Sequence, residues 1–302
     1  MENGRGSGTA LMTAYIRGYH ALYDDARIFD DSVGYRLIPE EIRMALEGHL
    51  KKTAAVMANQ PAGDLDEAAA LRLAVRVMAG SIVSRARYIE DRLFEAMEHN
   101  DVRQYVILGA GLDSFAFRRP DLQNALQIFE VDHQDTQKTK RLALQASNLI
   151  EPANLHYIPV DFTSESLSVA LKRSSFDPRL PSFFSWAGVT HYLPIDVIND
   201  TLSDIVSFTA ASSEITFDYW DSDAFDPVKA SSRVRSLIET SKSLNEPIIT
   251  GFDPDQLGVQ LNDLGLRLLE NLGPEEIRKR YDLDSLGYFT SMHVHFACAE
   301  VI

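Results

Sequence analysis

Val106-Ile107-Leu108-Gly109-Ala110-Gly111-Leu112-Asp113 is the stretch that decides the fold class. An apolar run leads straight into a Gly-x-Gly turn. Glycines there let the backbone turn tightly and approach a ligand closely. A strand-to-helix turn with no ligand would use the same residues, so the surroundings matter. Further β-rich runs follow at 127–131, 155–160, 182–186 and 214–219, with helical stretches such as 133–147 and 195–208 between them. Strand–helix alternation predicts βαβ units and a parallel sheet. A helix at 253–264, a strand at 266–270, a helix near 274–281 and an alternating run within 292–301 close the chain. Two late strands so close in sequence predict an antiparallel C-terminal edge on a mostly parallel, open α/β sheet.

Upstream of residue 102 no strand is evident. Residues 11–23, 39–57 and 65–97 read as helix, which predicts a helical N-terminal cover over 1–101 and an α/β domain over 102–302. In the third helix Leu71, Val75, Met78, Ile82, Ile89, Leu93 and Ala96 form one stripe at helical spacing. Asp64 is placed to cap it, and Gly80-Ser81, on the far face, to kink it.

The 302 residues are 45% hydrophobic and 24% charged, ordinary values for a globular chain. A formal net charge of −15 repels phosphate backbones and speaks against nucleic acid as a partner. One cysteine, Cys298, excludes an intrachain disulfide or a cysteine-based zinc site. Neither a signal peptide nor an apolar run of the roughly 20 residues needed to span a bilayer is visible, so a cytoplasmic protein is expected. Nothing in the sequence reads out an oligomeric state, although a homo-oligomer is compatible with it.

Two nucleotide cofactors fit the glycine turn. A dinucleotide fold needs G-x-G-x-x-G so that a pyrophosphate can lie on the helix N-terminus. Here Ser114 stands at the third glycine position, and Asp113 would place a negative charge beside the phosphate. Both count against NAD. A cofactor without phosphate, such as S-adenosylmethionine, tolerates Asp113 and could set its cationic end near it. Asp132 ends the next strand, about 20 residues beyond the glycines, where a ribose-binding carboxylate is expected. It could equally cap the helix opening at His133. Asp161-Phe162 ends the third strand, where an Asp-Phe pair can accept from an adenine amino group and stack on its ring; an ordinary turn carboxylate is the alternative.

Arg85 falls on the apolar stripe between Ile82 and Ile89. Burying an unpaired guanidinium is costly, so an anionic partner is expected: an internal acidic residue, or a carboxylate of cofactor or substrate. Arg87 lies on another face. After the fourth strand, Trp186-Ala187-Gly188-Val189-Thr190-His191-Tyr192 stands where ligands bind in parallel sheets, so Thr190, His191 and Tyr192 could face the substrate. For His191 a surface or capping histidine is slightly the preferred reading. His293 and His295 share one strand face, but no nearby carboxylate or third ligand is evident, so packing is preferred to a metal.

VILGAGLDSFAFR at 106–118 resembles the signature of the leucine carboxyl methyltransferase family. So do Thr9-Ala10 with Arg17, DDARIFDD at 24–31, the Arg-x-Arg-Tyr helix at 85–88, Glu130-Val131-Asp132 with the lysine-bearing helix after it, Val160-Asp161-Phe162, Gly188-Val189-Thr190 with Tyr192-Leu193, and a late Gly-Pro segment ending at Tyr281. The resemblance implies a Rossmann-like class I methyltransferase fold over 102–302 and S-adenosylmethionine as donor. It further implies that Arg85 binds the cofactor carboxylate, that Gly109, Ala110 and Gly111 underlie its methionine part, that Asp132 holds the ribose, and that Asp161 and Phe162 hold the adenine. Members acting on a phosphatase tail carry a glutamate after strand four, where this chain has Ala187. That points away from a protein C-terminus and toward a small-molecule carboxylic acid. With a reference pKa near 4, a carboxylate is already a nucleophile at neutral pH. Arg85 or Arg87 would orient it, and the N-terminal helices would close as a lid. The rival is a hydroxyl or phenol acceptor, which needs a base, for which His191 is the candidate. An NAD-binding α/β protein stands lower.

Overall fold

In the computed structural model, which describes residues 8–57, 66–162, 165–243 and 246–302, one seven-stranded sheet organises the chain. Four helices precede it: α1 (Gly8–Tyr23), α2 (Ser32–Arg36), α3 (Glu40–Met57) and α4 (Glu67–His99). Then come β1 (Gln104–Leu108), α5 (Phe115–Arg118), β2 (Gln127–Asp132), α6 (Gln134–Ala146), β3 (Leu155–Pro159), α7 (Leu167–Leu171), β4 (Ser182–Trp186) and α8 (Ile195–Phe208). β5 (Glu214–Trp220), α9 (Ser232–Ser243), α10 (Leu257–Asp263), β6 (Leu266–Leu272), α11 (Pro274–Arg280) and β7 (Val294–Val301) complete it.

The strand order is β3-β2-β1-β4-β5-β7-β6. β1 pairs in parallel with both β2 and β4, so the order reverses beside it. That reversal is the topological switch point, where ligands bind beyond the carboxyl ends of the strands. The antiparallel edge expected from the two late strands is made by β7, which runs against β5 and β6, with β6 outermost.

Alternation along β1 explains the layers. Tyr105 and Ile107 meet Ile89, Leu93 and Ala96 of α4, while Val106 and Leu108 face the core made with α7, α8 and α10. All five β1 residues are buried, as a strand covered on both faces must be. Along α4, Leu71, Val75, Ile89, Leu93 and Ala96 are buried and Met78 and Ile82 pack beside them, as the stripe predicted.

Two details of α4 differ from expectation. Asp64 lies outside the described residues; the cap is Asp66, whose side chain accepts from the Ala69 N–H at 2.7 Å. Gly80 is not on a far face, and the helix runs unbroken through it. A Cβ there would stand 2.2 Å from the carbonyl oxygen of Phe289, so the glycine permits a close crossing of backbone over helix. Among the described residues no helix is long and apolar enough to cross a membrane.

Candidate active site

The turn after β1 is built by conformation before chemistry. Gly109 and Gly111 have φ of +66° and +53°, the left-handed region that favours glycine. The Gly109 N–H donates to Val131 O at 2.8 Å, the Ala110 N–H to the same oxygen at 3.2 Å, and the Gly111 N–H to Asp132 Oδ2 at 2.6 Å. The turn is thereby tied to the tip of β2. Its surroundings are protein on two sides. A Cβ on Gly109 would meet Val189 at 2.6 Å, and one on Gly111 would meet Ala10 of α1 at 3.1 Å. The start of α1 therefore lies directly over the glycine turn.

Asp132 is not the helix cap; that place is taken by His133, and helix α6 begins at Gln134. Its Oδ1 accepts from the His133 N–H at 2.7 Å. The Thr136 side chain also hydrogen-bonds this carboxylate, which with about four acceptor sites keeps capacity for a ribose hydroxyl beyond these three donors. Burial pushes its pKa up against those hydrogen bonds. Asp113 Oδ1 accepts from the Phe115 N–H at 2.8 Å, a contact that starts α5. At the tip of β3, Asp161 is exposed, and the Phe162 ring sits 6.4 Å from that of Trp186 at the end of β4.

Arg85 has an internal partner. Its Nη1 lies 2.6 Å from Asp218 Oδ2, with the Asp218 side chain 1% exposed. Asp218 Oδ1 accepts from the Gly188 N–H at 2.6 Å, and the Asp218 carbonyl accepts from the Thr190 hydroxyl at 2.7 Å. Gly188 has φ +69°, and a Cβ there would stand 3.0 Å from Arg85 Nη2, so only glycine lets the loop after β4 lie against the guanidinium. Thr190 is fully buried by this bracing role. His191 is buried, its ring centroid 4.1 Å from that of Tyr192, and Nδ1 has no hydrogen-bond partner. Burial pushes its pKa down to about 4. The Tyr192 hydroxyl is hydrogen-bonded to Thr9 of α1, which also donates to Glu246, so three distant segments meet above the strand tips. Arg87 is half-exposed. Its Nε donates to Asp91 at 2.7 Å, and it opens onto a groove shared with Phe29, Phe94 and Arg118.

The arrangement can hold a nucleoside whose ribose diol meets Asp132 and whose base lies toward Phe162. The residues present fit S-adenosylmethionine: glycines at positive φ let the backbone come close to a ligand, and Asp132 would meet a ribose hydroxyl.

The leucine carboxyl methyltransferase model matches residues 10–206, from the cover over Gly111 through β4, the loop beyond it and most of α8. The chain belongs to the leucine carboxyl methyltransferase family. Membership makes it a methyltransferase dependent on S-adenosylmethionine. Over 97% of this chain and 98% of its own length, "Putative S-adenosyl-L-methionine-dependent methyltransferase YktD" of Bacillus subtilis (strain 168) is 33% identical. A Mycobacterium marinum (strain ATCC BAA-535 / M) protein, "Putative S-adenosyl-L-methionine-dependent methyltransferase", is 31% identical over 52% of this chain and 51% of its own. Among solved structures, a methyltransferase from Thermobifida fusca YX, titled putative, covers 99% of this chain and 96% of its own at a TM-score of 0.60 and 15% identity. A DUF574 family protein from Streptomyces avermitilis MA-4680 covers 98% of each at a TM-score of 0.58 and 11% identity. Those two likenesses concern the fold alone.

Sequence reading of this methyltransferase missed Asp218, Asp221 and the role of Asp31. Asp221 supplies the carboxylate not seen beside the late histidines: Oδ1 is 2.7 Å from His293 Nδ1 and Oδ2 is 3.3 Å from His295 Nε2. For Asp218 and Asp221, an ionisable residue inside or at the end of an apolar strand was the available signal, because it demands a buried partner.

Proposed function

We propose that this methyltransferase esterifies a carboxylate on a small-molecule acid. Bound S-adenosylmethionine supplies an electrophilic methyl group. In this reading Asp132 holds the ribose, Asp161 and Phe162 receive the adenine, Gly109, Ala110 and Gly111 underlie the methionine part, and its ammonium end lies toward Asp113. Arg85, steadied by Asp218 through Nη1, directs its remaining donors at a carboxylate. His191 and Tyr192 line the acceptor side, Thr190 braces their loop on the Asp218 carbonyl, and Arg87, already paired with Asp91, contributes at most to the field at the rim. The start of α1 covers the reactants and excludes water, and holding an acceptor in line for transfer is worth up to about 7–11 kcal/mol.

The observation that carries the acceptor class is His191. A general base works best with a pKa near the operating pH. Burial drives this imidazole down to about 4. The nearby Asp218 carboxylate is engaged by Arg85 and Gly188 rather than oriented on the histidine. Such a ring is a weak base, which suits an acceptor that is already ionised. Ala187 supports a small molecule over a protein tail.

The pH dependence tests this. For a carboxylate acceptor, turnover should stay flat within about twofold from pH 6 to 8, above the reference carboxyl pKa. His191→Ala should keep that flat profile. A rate that climbs with pH and loses about 10²–10⁴-fold in His191→Ala would instead assign a hydroxyl acceptor with His191 as its base.

A further inference from the structure

The DDARIFDD run and Arg17 lie outside the site just described, yet they converge on it. Asp31 ends that run and is completely buried. Its Oδ2 accepts from Arg17 Nε at 2.8 Å. Its Oδ1 accepts from the Ser114 hydroxyl at 2.6 Å and from the Gly34 N–H at 2.8 Å, and lies 3.6 Å from Arg118 Nε. Arg118 Nε donates to Ser114 Oγ at 2.9 Å, and its Nη2 pairs with Glu90 of α4. Arg17 then reaches past Asp31: its Nη2 donates to the carbonyl of Leu112 at 3.0 Å.

Leu112 is the residue immediately after Gly111. Its carbonyl is thus gripped from α1 while the neighbouring Gly111 N–H is gripped by Asp132. On α1, Ala10, Ala14 and Arg17 follow at i, i+4 and i+7, so they share one face. Ala10 is the residue over Gly111, and Ala14 is fully buried. One helix face therefore both covers the glycine turn and holds its backbone. Two cations and two carboxylates balance inside the network. Although burial opposes its charge, Arg17, Arg118 and Ser114 hold the Asp31 carboxyl below its ordinary range.

We infer that Arg17 and Asp31 are positioning residues for the cofactor: they clamp α1 to the Gly111–Leu112 backbone, so that binding S-adenosylmethionine and seating the N-terminal cover are one coupled event. This rests on the reading that the Gly109–Asp113 turn holds the cofactor. An ion pair that served only the fold would have no need to end on the carbonyl of the turn itself. Arg17 is suited to the task because a guanidinium can donate to a carboxylate and a carbonyl at once, whereas an ammonium is a single point charge.

The test is calorimetry of S-adenosylhomocysteine binding to the full-length protein, with thermal melts and steady-state kinetics alongside. Arg17→Lys keeps a cation for Asp31 but cannot span to Leu112, so its melting point should stay near that of the parent. Its affinity should fall roughly tenfold or more, the scale of a hydrogen bond from a charged group. The KM for S-adenosylmethionine should rise by a similar factor, with kcat at saturation and the acceptor KM within about twofold. Arg17→Met removes both contacts, and in an Asp31→Asn background it should add little, because the two residues act as one unit. Asp132→Ala serves as the reference. If Asp132→Ala weakens binding while Arg17→Lys binds as the parent does, the clamp is overturned and the cofactor site stands. If the parent protein does not bind S-adenosylhomocysteine, the cofactor reading falls and the clamp falls with it. A lowered melting point in Arg17→Met with unchanged affinity would also contradict the proposal, since it would reduce the network to scaffolding.

Discussion

Arg85 meets Asp218 through Nη1 only. A lysine could satisfy that single ion pair, but it could not also present the planar fork that a second carboxylate would use. Arg85→Lys should therefore fold with a stability within about 1 kcal/mol of the parent and lose roughly 10²-fold or more in turnover, through misplacement of a bound carboxylate. Chemical denaturation and initial rates check the two halves separately. Full activity in the variant would confine Arg85 to its pairing with Asp218. At this scale the sequence was partly legible. Arg85 on an apolar stripe announced that it needed an anion, and the carboxylates at the tips of β2 and β3 announced themselves by position. The identity of the anion was hidden, because Asp218 is 133 residues away and only the pairing of β4 with β5 under α4 brings it there. The run at 24–31 offered four aspartates of equal standing, and burial alone singles out Asp31.

Among the elements, the β2–α6 unit carries a buried charge pair. Glu130 and Lys140 are each 1% exposed and bonded to one another, while Gln137 ties the backbone carbonyls of Glu130 and Ile158. Burial raises the Glu130 pKa to about 7, against the pull of Lys140. Removing one partner of such a pair leaves a buried charge without compensation, which costs about 3–5 kcal/mol, whereas replacing both can be neutral. Lys140→Met should be destabilised by roughly that amount at pH 8. The loss should shrink at pH 6, because the abandoned carboxyl can then take up a proton. Urea melts at the two pH values measure this, and a loss independent of pH would show that Glu130 is not the cause. Element type and order followed from periodicity, since strands alternating with helices leave few alternatives. What periodicity could not show was contact between backbones. Gly80 looked like a weak point in a long helix and is a crossing point under Phe289.

For the molecule as a whole, the sheet order places the switch point between β1 and β4. α1 closes over it from the far end of the chain, through Ala10 on Gly111 and Thr9 on Tyr192. The methyltransferase class was legible in the sequence through the family resemblance, carried by the run at 106–118 and the motifs on either side of it. The acceptor was not, because in the proposed reading the residues that would face it arrive from α1, the loop after β4 and the segment around Glu246, and their meeting depends on packing. The measurement that bears most directly on the central claim is the chemical lability of the transferred group. Transfer of an isotopically labelled methyl from S-adenosylmethionine to a panel of small carboxylic acids and phenols should give a product that releases labelled methanol under mild alkali, as a methyl ester does. Label that stays on the product through that treatment, as in a methyl ether, would contradict carboxyl methylation.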